Sequence, residues 1–115
     1  MHRCSIIRLA VVAGLLGAVP AQAHNYPTAT LADYVFGCMA ANGQTQEALE
    51  RCSCSIDVIA SIIPYDDYVA GETVLRMRQV RGGGEKMAVF RDTAVAKEAI
   101  DRLRRAQIEA ELRCF

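Results

Sequence analysis

The chain contains no tryptophan, three prolines and only two histidines among its 115 residues. It carries no excess charge of either sign, because 13 Lys and Arg are balanced by 13 Asp and Glu. A nucleic-acid-binding protein would normally show a clear basic excess, so that class of function is excluded. The several long apolar runs that a multi-span membrane protein needs are also missing. A chain of this length and composition instead predicts one globular domain.

Residues 1–23 have the organisation of a secretory signal peptide. Arg3 and Arg8 form a positive start, Leu9 to Val19 is an unbroken apolar run, and Pro20 follows it. The segment Ala21-Gln22-Ala23 supplies the small residues that signal peptidase requires. The apolar run is about half of the ~20 residues that a spanning helix needs, which favours cleavage after Ala23 over an uncleaved membrane anchor.

Cleavage would leave residues 24–115 as a single domain that keeps four of the five cysteines. These are Cys38, Cys52, Cys54 and Cys114. An even number of cysteines in a short exported chain favours two disulfide bonds, and the expected location is the periplasm or the extracellular space.

The fold class predicted for this domain is all-α, a small disulfide-stapled bundle of about four helices. Apolar residues recur at helical spacing, and no alternating strand pattern of useful length occurs. The first helix is predicted from about Leu31 to Ala41, with Thr30 as N-cap and Asn42-Gly43 at its end. The second is predicted from an N-cap at Thr45 to Ile63. The third has Asp66 and Asp67 in its first turn and reaches Val80, and the last runs from Thr93 to Arg113 with Asp92 as N-cap. A flexible connection at 81–84 and a short helical turn at 86–90 lie between them.

The second helix is predicted to be central because it is apolar on two sides. One stripe consists of Leu49, Cys52, Ile56, Ile59 and Ile63, and the other of Cys54, Val58 and Ile62. A buried face is also expected on the last helix, at Ala96, Ile100, Leu103, Ala106, Ala110 and Cys114.

The spacing of the cysteines favours one disulfide pairing. Cys52 and Cys54 lie about 200° apart around a helix and therefore do not pair easily with each other. The short turn after the first helix makes the first two helices antiparallel, and Cys52 then matches the register of Cys38 better than Cys54 does. The favoured pairs are Cys38–Cys52 and Cys54–Cys114, although a slip of one helical turn would reverse the choice.

Two metal sites are alternatives to a purely structural interpretation. Cys52-Ser53-Cys54 has a spacing that is used for soft ions such as Cu(I) or Zn(II), although an oxidising compartment weighs against it. A second candidate is a carboxylate corner for a hard cation such as calcium or a lanthanide, formed by Asp57, Asp66, Asp67 and Glu72. Asp66 and Asp67 are also explained as compensation of a helix dipole. Partial burial and an arginine partner from the last helix are expected for Asp57.

Several segments resemble small periplasmic proteins associated with the quinoprotein alcohol-oxidation and lanthanide-handling systems of methylotrophic bacteria. The similar stretches are Asp33 to Gly43, Arg51 to Asp57, Tyr65 to Tyr68 and Cys114-Phe115. The resemblance implies an accessory or metal-handling role, and it would raise the weight of the carboxylate corner.

The expected function is that of an exported, non-enzymatic accessory or binding module that acts through another exported protein. Only one histidine, His24, would remain after cleavage, so a Ser-His-Asp triad is excluded. No cofactor other than a hard metal ion is expected, and neither nucleic acid nor stable membrane insertion after cleavage is expected.

Protein isolated from its native compartment without reductant is expected to begin at His24 and to contain no free thiol. Intact-mass spectrometry before and after alkylation tests both statements. Alkylation of Cys52 and Cys54 in unreduced material would contradict the disulfide prediction and favour a copper carrier.

Overall fold

The computed structural model describes residues 24–80, 84 and 91–115, and four helices have both of their ends within these ranges. They are α1 (Thr28–Asn42), α2 (Gln46–Ile62), α3 (Tyr65–Gln79) and α4 (Ala94–Cys114). The described residues contain no strand, and the all-α prediction is therefore confirmed. The predicted signal peptide, residues 81–83 of the predicted connection and the predicted turn at 86–90 lie outside the described residues.

The turn between α1 and α2 has the predicted caps. Gly43 ends α1 with φ at +111°, a value that favours glycine, and its N–H donates to the Met39 carbonyl. Two residues later, the Thr45 hydroxyl accepts a hydrogen bond of 3.0 Å from the Ala48 N–H. This side-chain cap satisfies one of the N–H groups that have no partner within the helix.

Two predicted N-caps were wrong. The first helix begins at Thr28 and not after Thr30, because Pro27 stands in an extended conformation and its carbonyl accepts from Thr30 and Leu31. Thr30 is consequently within α1. The last helix is capped by Thr93 and not by Asp92, since the Thr93 hydroxyl accepts from the Ala96 N–H at 3.2 Å.

The central position of α2 is confirmed, because α2 packs on α1 and on α4 while α3 packs on α4. The largest fully buried side chains come from α2 and α4, and they are Cys52, Ile56, Ile59, Ile100 and Leu103. The predicted stripes are buried only in part. Leu49 and Ile62 are exposed, at 37% and 44%. The apolar surface of α2 therefore extends beyond what its two neighbours cover.

Tyr26 joins the lead-in segment to the core. Its side chain is buried, and its hydroxyl donates a hydrogen bond of 2.9 Å to the carbonyl of Ile63. The centroid of its ring lies 5.2 Å from the centroid of the Tyr65 ring, in an edge-on arrangement, and 5.3 Å from that of the Tyr68 ring, in a tilted one. This contact closes the corner between α2 and α3, where Pro64 prevents the helix from continuing.

Two disulfide bonds tie the helices together, with the pairing that the register favoured. Cys38–Cys52 joins α1 to α2, and Cys54–Cys114 joins α2 to the end of α4. The bonds span 14 and 60 residues of chain. In the chain-entropy description, loops of these lengths stabilise the folded state by about 3 and about 4 kcal/mol. Such bonds indicate an oxidising, extracytoplasmic compartment. None of the described helices combines the length and the apolar character needed to cross a membrane.

Gly71, in the interior of α3, packs closely against α4. A Cβ atom added here would lie 2.7 Å from the Leu103 Cβ and 3.1 Å from the Ala99 carbonyl oxygen. The absence of a side chain at Gly71 therefore sets the spacing of these two helices.

We expect Gly71→Ala to lower the free energy of unfolding by about 1–3 kcal/mol, because the added methyl group forces α3 and α4 apart. The matched control is Gly37→Ala in α1, where a Cβ would meet nothing within 4 Å. That control should raise stability by about 0.5–1 kcal/mol through the better helix propensity of alanine. Urea unfolding of both variants measures the difference, and equal shifts would contradict the close packing at Gly71.

Candidate interaction site

The structure does not bring the predicted carboxylate corner together. Asp57 lines a groove between α1 and α2, whereas Glu72 lines a separate cavity between α1 and α3. Asp66 is exposed and Asp67 is half-buried in the first turn of α3. Across the described ranges, no group of three or more His, Cys, Asp or Glu residues has an arrangement that could hold a metal ion.

The predicted burial and pairing of Asp57 were wrong. Asp57 is exposed, and within residues 24–80 and 91–115 it forms no ion pair. It follows the buried Ile56 and so stands about 100° further around α2. Burial of Ile56 therefore turns Asp57 toward solvent at the rim of the groove. On α4, Arg102 and Arg113 pair with glutamates one turn earlier on the same helix.

Neither cysteine of the C-x-C motif is a free thiolate in this structure. The sulfur of Cys52 is bonded to Cys38, and that of Cys54 is bonded to Cys114. A soft-metal site at these residues would therefore require both disulfides to be reduced.

The most prominent surface feature on α1 and α2 is an apolar groove of about 480 Å³, which we call the α1–α2 groove. It is lined by Thr28, Leu31, Ala32, Val35, Phe36, Met39, Leu49, Ser53, Ile56 and Asp57. The α1 members recur every three or four residues, so they form one stripe along the helix. Phe36 is 78% exposed at the edge of this stripe.

The composition of α1 is unusual for a helix on a protein surface. Its 15 residues include a single charged side chain, Asp33, and none of the 15 is buried. A helix that is apolar on all sides is normally buried. Within the described chain, α1 packs mainly on α2, and this leaves its groove-facing stripe only partly covered.

A polar cavity of about 320 Å³ lies on the other side of α1, against α3. Asp33 forms an exposed ion pair with Arg76 at 3.7 Å, and the hydroxyls of Thr30 and Tyr65 are 3.2 Å apart. Glu72 is half-buried at this cavity. Burial raises the pKa of its carboxyl, Arg76 lowers that pKa, and Asp33 raises it.

Three tyrosines have hydroxyl pKa values above the ordinary value. Burial is the main cause of the raised pKa of Tyr26, about 12, and it also raises the pKa of Tyr34 and of Tyr68. The Tyr34 hydroxyl is 2.7 Å from the Ser55 hydroxyl, in a hydrogen bond that lowers the pKa of Tyr34 and offsets part of the effect of burial. The Tyr34 hydroxyl therefore joins α1 to α2, and the Tyr26 hydroxyl joins the lead-in segment to the Ile63 carbonyl at the end of α2.

A second apolar groove, of about 510 Å³, lies between α3 and α4 and includes Val74, Met77, Val95 and Ala99. In the sequence these residues flank positions 81–90, most of which lie outside the described residues.

Comparison of this chain with protein-family models, with curated proteins and with solved structures found no match. The α1–α2 groove is therefore interpreted from its own geometry and chemistry. Sequence reasoning did not identify Phe36 and Met39 as site residues. The pattern that would have found them is the single charge in a helix of fifteen residues.

The raised pKa of Glu72 predicts a pH dependence of stability. Because the folded-state pKa lies above the ordinary value of 4.5, the protonated carboxyl favours the folded state. This contribution is complete below pH 4.5 and is lost as the pH rises through the folded-state pKa.

Urea unfolding at a series of pH values tests this dependence. Relative to the wild type, Glu72→Gln should gain stability as the pH rises above 4.5, because its side chain stays neutral. Arg76→Gln should enlarge the loss of stability with rising pH, because Arg76 lowers the pKa of Glu72 and its removal raises that pKa further. Parallel pH profiles of stability for Glu72→Gln and the wild type would contradict the raised pKa of Glu72.

Proposed function

We propose that this protein is an exported accessory module that binds a protein partner through the α1–α2 groove. The observation that carries the proposal is the apolar character of α1 combined with the absence of any buried residue in it. A helix of this composition gains stability when a second surface covers it, because apolar area is then removed from water.

Phe36 is the residue best placed to provide binding energy. An exposed aromatic side chain at the edge of a groove is suited to become buried in an interface, and complete burial of a phenylalanine contributes about 1.5–3 kcal/mol. Aromatic anchors of this kind often dominate the energy of protein–protein interfaces.

The groove is also preorganised for binding. Cys38–Cys52 bonds its two walls together, and the Tyr34–Ser55 hydrogen bond joins α1 to α2 a second time. A surface that is already rigid loses little conformational entropy when a partner binds. The groove therefore has both the apolar area and the rigidity that a docking site needs.

Export is supported by the sequence of residues 1–23 and by the two disulfides. The proposed location is the periplasm or the extracellular space, where the partner would be another exported protein. The resemblance to accessory proteins of quinoprotein and lanthanide systems also implies an accessory role, and it stays a prediction.

We expect Phe36→Ser to weaken partner binding by about 10- to 100-fold, because it removes the apolar anchor of the groove. Partners captured from periplasmic extract on the immobilised protein would be identified by mass spectrometry, purified and measured by calorimetry. The matched control is Leu112→Ser on α4, since Leu112 is also 78% exposed but lies outside the groove. Unchanged affinity for Phe36→Ser, or an equal loss for Leu112→Ser, would overturn the proposal.

A further inference from the structure

We infer that the occupant of the α1–α2 groove is an amphipathic helix of the partner that carries Lys or Arg along one flank. This inference rests on the proposed function and adds the chemistry of the partner segment. It depends on two features, which are the shape of the apolar stripe and the sign of the charge beside it.

The shape of the groove matches a short helix. Its α1 wall extends from Thr28 to Met39, which corresponds to about 16 Å along a helix axis. Three turns of a partner helix span the same length. An amphipathic helix that lies in a groove presents apolar residues every three or four positions, and the α1 stripe has the same spacing. The two stripes can therefore interdigitate along the whole groove.

The α2 side of the groove is acidic. Asp57 lines the groove, and Glu50 stands seven residues earlier in the same row of α2, about 10 Å away along the helix axis. Both side chains are exposed, and the only partner of Glu50 in the described chain is the Gln46 amide at 3.5 Å. Neither carboxylate has an ion-pair partner among residues 24–80 and 91–115.

None of the residues that line the groove is basic. Arg51 is the only basic residue of α1 and α2. It forms an ion pair with Glu47, and its guanidinium lies over the Phe115 ring. The other described basic residues belong to α3, to α4 or to the residues just before α4. The flank of the groove is therefore negative, and Lys or Arg residues on a partner helix would complement it.

A second copy of this chain fits the groove less well. Contact between two identical grooves would bring acidic flanks together, which disfavours binding. An anionic membrane surface is disfavoured for the same electrostatic reason.

Two synthetic peptides of about 18 residues test the inference, a length at which an isolated helix begins to form. Both carry the same leucine stripe, and the flanking residues are Lys in one peptide and Glu in the other. Fluorescence anisotropy with the oxidised protein should show that the Lys peptide binds at least about tenfold more tightly, a difference of roughly 1.4 kcal/mol. Added salt should reduce this preference.

The double variant Glu50→Lys/Asp57→Lys should reverse the preference and favour the Glu peptide. Glu98→Lys/Asp101→Lys on the exposed face of α4 changes the net charge equally and should keep the Lys peptide preferred. Phe36→Ser should weaken the binding of both peptides. Equal binding of the two peptides, the same reversal by the α4 variant, or binding of anionic vesicles in place of the Lys peptide would overturn the inference.

The two proposals fail in different ways. If natural partner binding depends on Phe36 while the peptides show no charge preference, the basic-helix inference is wrong and the proposed function stands. If partner binding does not depend on Phe36, the proposed function is wrong, and the inference fails with it.

Discussion

The attachment of α1 and of the end of α4 to α2 is the constraint on which the structure depends. α2 contributes one cysteine to each disulfide, and the two cysteines lie two residues apart on different sides of the helix. One bond holds α1 and the other holds the end of α4, while Ile56 and Ile59 form the core with α4. A domain of this size has a small core, so covalent bonds of this kind contribute a large part of its net stability.

This arrangement explains how α1 can remain in place although Leu31, Tyr34 and Val35 are only partly buried against the core. A disulfide to Cys52, a hydrogen bond from Tyr34 to Ser55 and a hydrogen bond between Thr30 and Tyr65 fix its position. Its apolar stripe is left available, and this availability is the physical basis of the proposed partner site.

The fold was largely predictable from the sequence because helical spacing and cap residues are local signals. Gly43 and Thr45 are the end of α1 and the N-cap of α2, as predicted. The other two N-caps were wrong because several neighbouring residues can cap a helix. Pro27 takes the place predicted for Thr30, and Thr93 takes the place predicted for Asp92. The candidate site was not predictable in the same way. The exposure of Phe36 and Asp57 depends on which neighbours pack against α1 and α2, and residue spacing does not show this.

The position of Cys52 and Cys54 on one helix also has a consequence for oxidative folding. Four cysteines can form three sets of two disulfides, and one of these sets contains a Cys52–Cys54 bond. A formed α2 directs the two sulfurs to different sides, so that set is strongly disfavoured once the helix exists. The two sets that remain differ only in which of these sulfurs reaches α1. Formation of α2 thus removes one of the three possible pairings, and the register of α1 on α2 decides between the other two.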